Sequence, residues 1–197
     1  YMLLLLSLPI LVNTHYILVL WLKLVPEHAV LFVQLMLVFA MCESISNPLI
    51  TAMLATGKIR NYQLIVGGLQ MMNLPLSYIC LRIGCMPESV LIVAIVISQC
   101  CLVARLYMLR GMIGLSSIQY LKNVYINIVV VALLSLIIPA VLSKYMDESF
   151  LSFIILSLVA MICSIVVIFY IGCNRKERIF VVGKMNLIKN KIINDRD

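Results

Sequence analysis

Charge is scarce in this sequence. Lysine, arginine, aspartate and glutamate make up only 12% of its 197 residues, and just eight of these are acidic. A soluble domain carries about 25% charged residues on an apolar share of about 45–50%. Here the apolar share is 64% and the mean hydropathy is +1.14. Together these departures exclude an ordinary soluble domain and point to helices in a lipid bilayer. Histidine occurs only at His15 and His28. The seven cysteines, Cys42, Cys80, Cys85, Cys100, Cys101, Cys163 and Cys173, form no CxxC pair and no cluster with histidine. Neither a metal site nor a disulfide framework is therefore expected, and most of these thiols sit in apolar runs, where cysteine acts as a small hydrophobe. The sequence also lacks GxSxG, a P-loop, HExxH and a GxGxxG that opens a helix after a strand. It thus has no signature of an enzyme, of a cofactor or of an ATP-driven pump. The net charge of +7 does not describe a nucleic-acid binder, because the basic residues gather between apolar runs, as cytoplasmic loops do.

What the sequence has is long apolar runs. They predict an all-α, polytopic membrane bundle over residues 1–173, with six helices at about 3–22, 27–56, 62–81, 88–109, 122–142 and 149–171, and a basic tail over 174–197. The first helix is expected to bend near Pro9 and carries a polar break at Asn13, Thr14 and His15, read as a kink whose polar groups bond to neighbours. The second is about 45 Å long at 1.5 Å per residue, more than a hydrocarbon core of about 30 Å, so Pro48 is expected to be its hinge. Gly67 and Gly68 suit a close helix approach, and Pro75 a bend in the outer half of the third helix. The stretch Arg110 to Gln119 reads as the longest connection, a short amphipathic segment on the membrane surface. The chain opens inside an apolar run, YMLLLLSLPILV, with no basic region before it and no small-residue cleavage site after it. It reads as the later part of a longer protein.

Orientation follows from charge. If the sixth helix exits to the cytoplasm, the inner segments are 57–61, 105–122 and 174–197. Of 15 lysines and arginines, only Lys23, Arg82 and Lys144 then lie outside, with Glu27, Glu88, Asp147 and Glu148. This asymmetry favours a cytoplasmic tail and an even helix count.

Within the spans, polar residues mark the candidate site. Glu43, Asn47 and Thr51 are spaced i, i+4, i+8 and share one helical face. A carboxylate at membrane depth costs on the order of 2.5–3.5 kcal/mol on insertion scales and normally faces a cavity or a partner. Glu43 has two readings: a carboxylate coupled to a proton or ion, or one bonded to a neighbouring helix for structure. Asn47 is expected to answer a carbonyl freed by Pro48. Gln63, Gly67, Gln70, Asn73 and Ser77 step by four, three, three and four, drawing one stripe that either lines a hydrophilic groove or hydrogen-bonds between helices. Arg105 lies two turns from Ser98 on one face. It either meets phosphate oxygens, for which a guanidinium is suited, or snorkels to headgroups. Lys58 and Arg60 read as topology signals, and the tail as resting on anionic lipid. Glu43, Asn47, Gln63, Gln70, Asn73 and Arg105 are the candidates for a substrate path or coupling site, and no metal ligands are among them.

Three stretches resemble a known family. They are LWLKLVPEHAVLFVQLMLV, SNPLITAMLATGKIRNYQL and NLPLSYICLRIGCMPESV. The matching positions include Leu20, Trp21, Leu22, Pro26, Asn47, Pro48, Ala55, Thr56, Gly57, Lys58 and Tyr62. They continue through Asn73, Leu74, Pro75, Tyr78, Gly84, Pro87, Arg105 and Leu106. The pattern is similar to the O-antigen and polysaccharide flippases of the multidrug/oligosaccharidyl-lipid/polysaccharide exporter superfamily, closely over about residues 15–125 and loosely over the last two helices. The resemblance implies a transporter of two lobes rocking about a central cavity, with this chain as the second lobe and an N-terminal lobe as its partner. It implies a bacterial inner-membrane protein. Its substrate would be an undecaprenyl-pyrophosphate-linked oligosaccharide for lipopolysaccharide or surface polysaccharide, moved to the periplasmic leaflet. The alternative is a cation-coupled multidrug or small-molecule antiporter of the same superfamily, with Glu43 as the coupling carboxylate. A third class is a membrane scaffold for glycan enzymes, in which the polar stripes would be dispensable.

Overall fold

The computed structural model describes residues 1–57, 59–114, 116–146 and 149–173, with Arg178 and Gly183. Apart from those two residues, the tail expected over 174–197 lies outside the described residues, as does Lys58. The described residues are helical with short turns and no strand. In order the helices are α1 (Met2–Val12), α2 (Thr14–Leu22), α3 (Ala29–Ala55), α4 (Ile59–Met71), α5 (Asn73–Arg82), α6 (Ser89–Ile113), α7 (Ser117–Tyr120), α8 (Ile126–Ser143) and α9 (Phe150–Val167). A π-helical turn, Leu121–Tyr125, joins α7 to α8, and a second, Ile168–Gly172, extends α9. Among the described residues five continuous stretches are long and apolar enough to cross a membrane: Ala29–Ala55, Ile59–Arg82, Ser89–Ile113, Ser117–Ser143 and Phe150–Gly172.

The expected helix over 3–22 is two helices, bent by 70° between Val12 and Thr14. Pro9 lies inside α1, so the break falls at the polar triplet rather than at the proline. Side chains there bond to the last carbonyls of α1, at Pro9 O beside the backbone N–H of Asn13. Asn13 Nδ2 donates to Pro9 O at 3.0 Å, and Thr14 Oγ1 donates to Ile10 O at 2.8 Å. Gln34 Nε2, from α3, reaches Leu11 O at 3.3 Å. With the carbonyls of Pro9, Ile10 and Leu11 answered, α1 can stop inside an apolar stretch with fewer orphaned acceptors.

Other expectations also change. The stretch expected as a helix over 62–81 runs from Ile59 to Arg82 with a break at Met72, three residues ahead of Pro75. In contrast, α3 passes through Pro48 as one helix. The connection expected over 110–119 shrinks to Gly114–Ser116, because α6 continues to Ile113 and α7 begins at Ser117. Gly114 closes α6 at φ 68° and ψ 19°, a left-handed cap that favours glycine. Nothing lies within 4 Å of a side-chain carbon built on Gly67 or Gly68, so these glycines do not mark a close helix approach in this chain.

The helices pack as two groups. In the first, α6 is central, flanked by α3, α4 and α5. Leu49 and Met53 of α3, Tyr62 and Val66 of α4, and Ile97, Cys101, Leu102, Leu106 and Leu109 of α6 form its core. In the second, α9 packs against α1 and α8. Its buried positions repeat every fourth residue: Val131, Ser135 and Pro139 on α8, and Leu156, Ala160 and Ser164 on α9. Small residues at this spacing let backbones approach. Contacts of α1 and α2 with α3 join the groups.

Alternating ends follow from three contacts. Tyr1 OH donates to Gly172 O at 3.3 Å, placing the chain start beside the end of the α9 stretch. Thr56 Oγ1 lies 3.6 Å from Met112 Sδ, placing the ends of α3 and α6 together. His28 Nδ1 lies 2.5 Å from Glu88 Oε1, placing the starts of α3 and α6 together at the opposite end. The bent α1–α2 pair passes the same test of length and composition only when its two helices are taken together, and counted as one broken span it would make six among the described residues.

Candidate functional site

The polar side chains inside the long stretches concentrate where α3 meets α6. Ser98 Oγ donates to Glu43 Oε1 at 2.6 Å, a bond between helices 55 residues apart in sequence. Arg105, two turns along the same face of α6, is 2% exposed. Its Nε and Nη1 are buried without a hydrogen-bond partner, as is Ser46 Oγ on α3. Among the described residues no ion pair joins Arg105 to Glu43. Arg105 is thus not snorkelling. A guanidinium held in an apolar core with unanswered N–H groups is a costly arrangement. Acceptor oxygens would relieve it.

The other candidates divide. Asn47 is exposed, and its side chain makes no hydrogen bond among the described residues. It does not answer a carbonyl freed by Pro48, as expected; instead its own carbonyl accepts from Thr51 Oγ1 at 3.1 Å. Gln63 and Gln70 on α4 are exposed, and Asn73 at the start of α5 is half-buried. Asn73 Oδ1 accepts from Ser77 Oγ at 3.3 Å, and Ser77 is buried. The stripe from Gln63 to Ser77 therefore does not share one environment. Gln63 and Gln70 lie beside the buried line of this stretch, whereas Ser77 lies on it with Tyr62 and Val66.

Several polar partners have no signal in spacing alone. Tyr125 OH donates to Gln99 Oε1 at 2.8 Å, and Tyr120 OH donates to Ile45 O at 3.2 Å. Both tyrosines come from the stretch that leads into α8, which folds back against α3 and α6. Ser117 Oγ adds a bond to Leu106 O at 3.2 Å. At the opposite end, exposed His28 donates to the buried carboxylate of Glu88. The carboxyl of Glu88 is held below its ordinary range, chiefly by a hydrogen bond from its own backbone N–H at the start of α6. Burial opposes this, and His28 assists. Among the described residues no group of three or more histidine, cysteine, aspartate or glutamate side chains could hold a metal ion. No protein-family model, curated protein or solved structure matches this chain.

Proposed function

We propose that this chain is part of a bacterial inner-membrane flippase. It would move undecaprenyl-pyrophosphate-linked oligosaccharide to the periplasmic leaflet by alternating access, for lipopolysaccharide or surface polysaccharide. Membrane residence is supported by outward faces that are apolar along whole helices, such as Leu133, Ile137 and Ile138 on α8 and Leu158, Ile162 and Ile165 on α9. Soluble proteins rarely expose continuous apolar surface of this extent. The observation that carries transport is Arg105. Its unanswered donors match the oxygens of a phosphate, which a guanidinium binds through paired hydrogen bonds. At 2% exposure the group is closed off, so a substrate would reach it only when α3 and α6 part, as alternating access requires. The exposed Asn47, Gln63 and Gln70, on stretches otherwise suited to lipid, support a facing aqueous path or a second helical lobe.

One observation favours the antiporter reading. Glu43 has the neutral Ser98 as its partner, which leaves its charge open to a proton or a cation. The test is complementation of a strain blocked in O-antigen flipping by the full-length protein, with surface polysaccharide as readout. Wild type is expected to restore surface glycan, and Arg105→Ala to lose it with normal membrane expression. Failure of wild type, together with gain of drug resistance that Glu43→Gln removes, would replace the flippase by the antiporter.

A further inference from the structure

A second polar site lies away from Arg105, at the start of α8. A groove of about 470 Å³ is lined by Lys122, Asn123, Ile126, Asn127 and Val130. It is built on the π-helical turn Leu121–Tyr125, where Ile126 N bonds back five residues to Leu121 O. Such turns interrupt α-helices frequently at functional sites. Asn127 is fixed from behind: its Nδ2 donates to Gly172 O at 3.3 Å, in the second π-helical turn. Gly172 packs closely on the Tyr1 ring there: a side-chain carbon would meet it at 3.0 Å. Lys122 and Asn123 are exposed and carry no hydrogen bond or ion pair among the described residues. Below them the surface is apolar and open, with Ile126 51% and Val130 39% exposed.

We propose that this groove binds the phosphate of an anionic glycerophospholipid, with Lys122 and the Asn123 amide on the phosphate and one acyl chain along Ile126 and Val130. One cation matches the single negative charge of a phosphodiester. The apolar floor selects a lipid over a free anion, and basic pockets at the ends of membrane helices bind headgroups in this way. The inference rests on the membrane placement of α8, not on the transport reading.

The test uses the full chain in nanodiscs of phosphatidylcholine with a trace of photoactivatable lipid, its diazirine on an acyl chain, and adducts mapped by peptide mass spectrometry. With a phosphatidylglycerol probe, adducts between Lys122 and Val130 are expected about fivefold above those with a phosphatidylcholine probe, the gain from about 1 kcal/mol per surface cation. Lys122→Gln should bring that ratio close to one. Asn123→Asp, at an exposed position with no contact to lose, should lower it too. Tail cations are common to all variants and cancel. A wild-type ratio near one, or a ratio unchanged in both variants, would overturn the site. Competition by millimolar inorganic phosphate would show a free-anion site instead and overturn the lipid assignment. Phosphatidylcholine adducts at Leu158 and Ile162 report membrane placement separately, and their absence would refute that placement rather than the groove.

Discussion

The two helix groups handle polarity in opposite ways. The α3–α6 group encloses an arginine, holds a carboxylate on a serine from the facing helix, and leaves Asn47, Gln63 and Gln70 on its surface. The α1–α8–α9 group buries serine as its polar residue inside the helices. Ser164 Oγ turns back to Ala160 O at 2.6 Å, and Ser7 Oγ to Leu4 O at 3.3 Å. Ser135 Oγ and Ser157 Oγ are buried without a partner among the described residues, but an orphaned neutral hydroxyl costs far less than an orphaned charge. A hydroxyl answered by its own helix asks nothing of a neighbour. A buried guanidinium cannot be answered that way. The difference separates a group that packs without charge inside its helices from the α3–α6 group, whose buried guanidinium has unanswered donors; the proposed transport role rests on the latter.

Exchanging the two kinds of environment should expose that difference. The largest effect is expected from Ser135→Arg. This places a guanidinium at a fully enclosed position of α8, at an insertion cost of about 2.5–3.5 kcal/mol before any clash. Membrane expression and detergent-solubilised thermal melting should both collapse. Arg105→Met is the reverse exchange. Replacing a buried charge by an apolar residue of similar volume is often neutral or stabilising by about 1–4 kcal/mol. Melting should stay level or rise while surface-glycan export is lost; a large drop in Tm with export retained would make Arg105 structural. The smallest effect is expected at the turn pair. Because the Glu88 carboxyl is held below its ordinary value, its stabilisation is present above the unfolded value of about 4.3 and lost as pH falls through the lower folded value. Glu88→Gln should lower Tm at neutral pH and flatten the acid limb of Tm against pH below about 4.3. An acid limb of wild-type slope would assign it to other groups.

Helix content and placement were legible because apolar runs of this length leave the backbone few alternatives. The five continuous stretches fall where hydropathy puts them. Prolines misled. Pro9 and Pro48 both sit inside continuous helices, whereas the bend came at Asn13 and Thr14, whose side chains compete for carbonyls. Periodicity found the Gln63–Ser77 stripe, but the buried line of this stretch runs through Tyr62, Val66 and Ser77, beside Gln63 and Gln70 rather than along them. At the site, the cost of charge at membrane depth singled out Glu43 and Arg105. Their partners were not readable, because Ser98, Gln99, Tyr120 and Tyr125 reach them or their helices through tertiary packing that spacing along one helix does not encode. Lys122 and Asn123 were visible as residues, but the groove depends on a π-helical turn with no signature in composition.

The most direct test is water access along the two groups. Single cysteines at Asn47→Cys, Gln63→Cys and Gln70→Cys, and at Leu133→Cys on the apolar face of α8, would be placed in a background lacking the seven native thiols. They would be treated in sealed vesicles with a hydrophilic thiol reagent. The three α3 and α4 positions are expected to label, with labelling reduced by substrate, while Leu133→Cys stays unreactive. Equal protection at all four positions would place the polar residues against dry protein and contradict an aqueous path through this half.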